Sequence, residues 1–258
     1  MAVEQSRSSP PDKQAHEEPA PAFYAIRGGG WRDWWTILHP PYTVWHLSYS
    51  AIGAAVAPVV RLDRLAATLV AFFLAVGIGA HALDEVNGRP LRTRISGPTL
   101  HLAAALSISG AIAIGIVGIG RVGVSLIPLI TFGAFIVVAY NLEIFGGFFH
   151  SDFWFAFAWG AFPAFTGFWA SASTFRVSGL LAAAACFMLS VAQRALSTPV
   201  RALRRRTARV HGTIERTDGT TEPVERSTLT NAPERALRAL SLTVPLIAAA
   251  MVAARTLR

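Results

Sequence analysis

The sequence predicts an all-α, polytopic membrane bundle, and three observations carry that prediction. Hydrophobic residues make up 53% of the 258 and charged residues only 15%, where a soluble domain carries about a quarter. The charge is unevenly spread: residues 40–199 hold 13 charged side chains in 160, namely Asp63, Asp84, Glu85, Glu143, Asp152 and eight arginines. That stock cannot cover a soluble surface, whereas runs of about 20 apolar residues suit bilayer crossings. The single cysteine, Cys186, sits inside an apolar run and excludes a disulfide scaffold. The net charge of +8 comes almost wholly from arginines at the ends of apolar segments, a pattern of membrane orientation and not of nucleic-acid binding.

Taken in chain order, residues 1–22 are polar, with four prolines, and read as a disordered tail without the apolar core of a signal peptide. Residues 23–41 carry Arg27, Trp31, Arg32, Trp34 and Trp35, which suit the headgroup level of an interfacial segment. Six crossings are expected over 42–60, 65–82, 100–118, 122–140, 153–172 and 177–196, forming a bundle over 42–199. A seventh is expected over 237–254, within 235–258, interrupted by Pro245. Between them, 200–234 is basic and then polar, a cytosolic loop whose part over 210–232 lacks periodicity and reads as flexible.

Arg89, Arg92 and Arg94 fall on the same side as Arg194, Arg201, Arg204, Arg205, Arg206 and Arg209. The positive-inside rule then makes the N-terminus cytosolic in a multi-pass protein of the cell membrane. The arginine run serves as a topology determinant and anionic-lipid contact, or alternatively as a site for a substrate phosphate.

Sorted by depth, the ionisable residues collect in one leaflet. His46, His81, Asp84, Glu85, His101, Glu143, His150 and Asp152 all fall at the cytosolic level, although the helices run alternately up and down. Such groups inside a membrane are expensive and by default line a functional cavity. His81, Asp84 and Glu85 stand at i, i+3 and i+4, which places His81 and at least one of the carboxylates on one helix face. Gly146 and Gly147 break the chain before His150 and Asp152. Imidazole with carboxylate is the ligand set of iron, manganese or zinc, and these eight residues are the expected ligands of one or two ions. The plainer alternatives are an interfacial ring for His46, a first-turn residue for His101, and ion pairs of Asp84 or Glu85 with Arg89 or Arg92.

Several stretches resemble UbiA-type membrane prenyltransferases: His39-Pro40-Pro41-Tyr42-Thr43-Val44-Trp45, His81-Ala82-Leu83-Asp84, Asn87-Gly88-Arg89-Pro90-Leu91, Val138-Ala139-Tyr140-Asn141 and 157–163. The resemblance spans about 155 residues and implies a helical scaffold that binds a prenyl diphosphate through magnesium on its cytosolic side. It implies head-group contacts for Asn87, Arg89, Arg92 and Arg94, magnesium at Asp84 and Glu85, and Tyr140 and Asn141 at the reacting end. The first acidic motif is reduced here to His81-x-x-Asp84 with Glu85 beside it, and 193–209 contains no acid where the second would stand.

The expected function is therefore a metal-dependent membrane enzyme acting on a lipid or isoprenoid. A magnesium-dependent prenyltransferase or cyclase is the alternative. A transporter or ion carrier is a third reading, opposed by polar groups that stop in one leaflet.

Overall fold

The computed structural model describes residues 20–26 and 28–257. The expectations for 1–19 and for Arg27 lie outside the described residues. Eight helices account for most of the chain: α1 (Trp31–Leu38), α2 (Pro40–Ala55), α3 (Leu62–Val86), α4 (Gly97–Val122), α5 (Ile127–Asn141, after a 3₁₀ turn Val124–Leu126), α6 (152–172), α7 (Val177–Arg205) and α8 (Arg226–Thr256). Five helical stretches are long and apolar enough to cross a membrane: α3, α4, α5 with its leading turn, α7 and α8.

The other two predicted crossings also fold as helices, and they form the buried centre. α2 has 16 residues, about 24 Å of helix, and it carries Thr43, Ser48, Tyr49 and Ser50 buried among neighbours. It packs most extensively against α6, and small residues make that possible. A Cβ on Gly53 would overlap the Ala164 carbonyl, and one on Gly167 would overlap that of Ser50, so the two backbones touch.

Two apolar cores result. One joins α2, α6, α7 and α8 through Trp45, Tyr49, Ala164, Cys186, Leu237 and Val244. The other joins α3, α4, α5 and α6 through Val76, Leu83, Leu100, Ile136, Tyr140 and Trp159.

Both α3 and α6 contain a wide π-helical stretch, Phe73–Ala80 and Phe157–Ala161. Such bulges rotate the residues beyond them and recur at functional sites; here the first ends directly before His81. α7 continues through Pro199 to Arg205, nine residues beyond its expected end, so Arg201, Arg204 and Arg205 stand on a helix and not in a loop.

The stretch expected to be a flexible loop contains a hairpin, β1 (Thr213–Glu215) against β2 (Thr221–Pro223) with Ile214 opposite Glu222. It also holds the first turns of α8, which a capping box between Glu225 and Thr228 opens. At the face away from the arginine run, guanidiniums close helix ends. Arg64 donates to Arg121 O and Ala170 O, and Arg255 to Ala57 O and Pro58 O.

Candidate functional site

Where the two cores meet, toward the arginine-rich face, the helices part around a polar cavity of about 570 Å³. α2 contributes Tyr42 and His46, with His39 at its N-cap, and α3 contributes Val76, His81 and Asp84. Tyr140 and Asn141 end α5, Glu143 and His150 come from the loop after it, and Phe155 and Trp159 come from α6. α7 presents Gln193, Arg194, Ser197, Arg201, Arg204 and Arg205, spaced at helical intervals along one face.

Of the six described non-glycine residues with left-handed φ, four line this cavity: His39 (46°), Arg89 (50°), Arg92 (56°) and Glu143 (50°). Strain of about 1–3 kcal/mol at each such residue persists only where the surroundings enforce it. Glu85 is what enforces it at Arg89 and Arg92. Fully buried, its carboxylate accepts Thr93 N–H at 2.8 Å, the Thr93 hydroxyl at 2.9 Å and Leu91 N–H at 2.9 Å. Hydrogen bonds to a buried acceptor contribute about 0.5–3 kcal/mol each, so three of them are of the size needed to offset two strained residues.

The histidines divide by what their second nitrogen meets. His81 Nδ1–H donates to Gly77 O at 3.1 Å and His150 Nδ1–H to Tyr140 O at 3.0 Å, which leaves Nε2 of each ring as an acceptor. His46 Nε2–H donates to Gln193 Oε1 at 2.9 Å, and its buried Nδ1 has no partner among the described residues. His39 Nδ1 lies 2.5 Å from the Tyr24 hydroxyl, and its ring stacks on His81 at 4.2 Å. Burial holds the His39 imidazole well below its usual range, assisted by His81, and pushes the Tyr24 phenol up, assisted by Tyr42.

Asp84 faces the cavity without a hydrogen bond among the described residues, and Arg201, Arg205 and His150 line the same cavity. Tyr140 stacks on His150 at 4.5 Å. The Asn141 amide is turned back on Val137 O, and Asn87 donates to Asn141 O at 3.2 Å, tying the end of α3 to the end of α5.

The structure thus brings His46, His81, Asp84, Asn87, Arg89, Arg92, Tyr140, Asn141, Glu143 and His150 to one cavity. Four expected site residues stand elsewhere. Glu85 is consumed by the 91–93 turn. His101 is exposed, with Nδ1 on Gly97 O of its own helix. Arg94 is exposed, and its backbone N–H is taken by Asp33. The Asp152 carboxylate is exposed and pairs with Arg194 at 2.5 Å. Five of the eight expected ligands, His46, His81, Asp84, Glu143 and His150, share the cavity; among the described residues no group of three or more His, Cys, Asp or Glu side chains is placed to hold a metal ion.

Tyr24, His39, Tyr42, Gln193 and Arg194 also line the cavity and were not expected as site residues; Arg201, Arg204 and Arg205, read first as topology determinants with a substrate phosphate as the alternative, line it as well. The repeat of polar residues at 193, 194, 197, 198, 201, 204 and 205 was the available signal, since it continues the helical period of the apolar run before it.

A second cavity, of about 430 Å³, adjoins the first and is almost wholly apolar. Ala67, Ala71, Ala75, Ala111, Gly115, Gly118, Gly133 and Ala134 leave the space, and Arg64 and Arg121 close the far end. Val76 and Trp159 line both cavities.

The chain matches no family model, no curated protein and no solved structure. Fold and cavity together define a helical protein with five helices long and apolar enough to cross a membrane and an arginine-lined polar chamber.

Proposed function

We propose that this protein is an integral-membrane enzyme of the cell membrane whose substrate is an amphiphile, a lipid or isoprenoid with a phosphate or diphosphate head, bound from the cytosolic side. The observation that carries this reading is the adjacency of the two cavities, which share Val76 and Trp159 in their linings. An anionic head fits the arginine-lined chamber while its tail fits the apolar one.

Charge supports the anionic head. Arg194 and Arg204 have carboxylate partners in Asp152 and Glu234. Among the described residues, however, Arg201 bonds only Thr198, and Arg89 bonds only the carbonyls of Thr93 and Ile95. A guanidinium bonded to neutral oxygens keeps its charge, and bonds from it to phosphate are about twice as strong as neutral ones.

Reaction chemistry is supported by Asp84, a carboxylate without a hydrogen-bond partner among the described residues, in the same cavity as His81 and His150, whose Nε2 atoms are open. In the prenyltransferase class, magnesium held by Asp84 and the phosphate oxygens would assist departure of the diphosphate. Tyr140, Asn141 and the two histidines would then face the reacting carbon and orient an acceptor. Purified protein given an isoprenoid diphosphate, magnesium and a hydroxyl acceptor is expected to bond the prenyl carbon to the acceptor oxygen with loss of its proton and to release inorganic diphosphate, and Asp84→Asn to abolish release while retaining binding. Absence of both release and binding in the wild type contradicts the reading.

A second reading keeps iron, manganese or zinc. It is favoured by His81 and His150, which each fix Nδ1–H on a carbonyl as metal-ligating histidines do. Metal content that falls in both His81→Ala and His150→Ala would support it, and content unchanged in both would remove it.

A further inference from the structure

Residues 20–24 cross the mouth of the polar cavity as a strap, and Pro21, Ala22, Phe23 and Tyr24 line it. Cavity arginines hold the strap by its carbonyls: Arg204 Nη1 donates to Ala20 O at 3.2 Å and Arg205 Nε to Pro21 O at 3.1 Å. Side chains complete the closure. The Arg238 guanidinium lies 4.8 Å from the Phe23 ring centroid, Phe23 and Tyr24 meet Tyr42 edge-on at 6.0 and 5.5 Å, and the Tyr24 hydroxyl meets His39 Nδ1.

We infer that this strap is an internal ligand of the anion subsite, and that a phosphate-bearing ligand displaces it on binding. The inference rests on the function proposed above and adds the regulation of its site. Two neutral carbonyl oxygens occupy N–H donors that a phosphate would use; Glu234 answers the charge of Arg204, but Arg205 has no carboxylate partner among the described residues. A phosphate supplies charge as well as oxygens, so it takes these donors in preference. A site that is free only when the strap is open binds with an affinity reduced by the open fraction. The strap therefore sets a threshold for the ligand and covers the chamber when none is present.

The test uses the full chain in phosphatidylcholine nanodiscs with Ala22→Cys, the only native cysteine being buried. Reaction of the introduced thiol with a water-soluble maleimide is expected to be slow. It should accelerate about tenfold with inorganic diphosphate but not with chloride at equal ionic strength, and should be fast without diphosphate when Arg205→Gln is added. By calorimetry, Phe23→Ala is expected to tighten diphosphate binding about tenfold. Adding phosphatidylglycerol to the nanodiscs separates the sources of the anion. Acceleration by that lipid alone supports displacement and assigns the subsite to a bilayer head group.

Diphosphate that binds without changing the labelling rate, and with unchanged affinity in Phe23→Ala, overturns the strap and leaves the proposed function standing. Failure of diphosphate and an isoprenoid diphosphate to bind either protein overturns both.

Discussion

A carboxylate without exposed surface has to be answered by donors, and Glu85 is answered by two backbone N–H groups and a hydroxyl. Glu85→Ala strands those donors at about 1–3 kcal/mol each and releases the turn that holds Arg89 and Arg92. The expected outcome is a clear loss of thermal stability together with anion affinity. Its neighbour Asp84, which gives up no hydrogen bond, behaves differently: Asp84→Asn is expected to leave thermal stability unchanged or raised.

His39 adds a pH dependence. Its folded pKa is lowered by burial below the usual 6.5, so the unfolded chain takes up the proton first. Stability is then full above about pH 7 and falls as pH drops through 6.5 toward the folded value. Thermal unfolding of His39→Gln is expected to show a shallower slope between pH 7 and pH 5 than the wild type.

These residue roles were only partly legible. Depth sorting brought out His81, Asp84, Glu143 and His150 because charge is scarce in the apolar segments. It gave Glu85 the same reading, since a carboxylate spent on backbone donors has the same sequence signature as one left open.

Among the elements, α2 and α6 depend on direct backbone contact. Gly53→Leu or Gly167→Val must move one helix off the other. The cost is expected at or beyond the upper end of the about 1–3 kcal/mol typical of overpacking, because the obstacle is backbone. Gly120→Ala, with nothing within 4 Å of the added carbon, is expected to stabilise α4 slightly. Chemical denaturation in detergent distinguishes the two classes.

The positions of the helices were legible because apolar runs report them directly. The end of α7 was not, since Pro199 suggests a stop costing about 3 kcal/mol in a helix interior. Burial of Ser197 and Val200 on either side of it carries the helix on. That misplaced end hid the cavity face of the arginine run. The hairpin was equally hidden, its short strands fully exposed and without alternation.

At the scale of the molecule, alternating helices gather cationic and imidazole groups at one end and an apolar chamber behind them. The arginines count toward topology and also line the cavity. The central claim is that one ligand uses both chambers, with its charge in the first and its tail in the second. Calorimetric binding of an isoprenoid diphosphate, compared with the same isoprenoid alcohol and with inorganic diphosphate, tests it most directly. The account predicts that the diphosphate ester binds at least about 100-fold more tightly than either fragment, a difference of about 2.7 kcal/mol. It also predicts that Arg201→Ala with Arg205→Ala removes the preference over the alcohol, whereas equal binding of ester and alcohol, or a preference intact in the double variant, would contradict it.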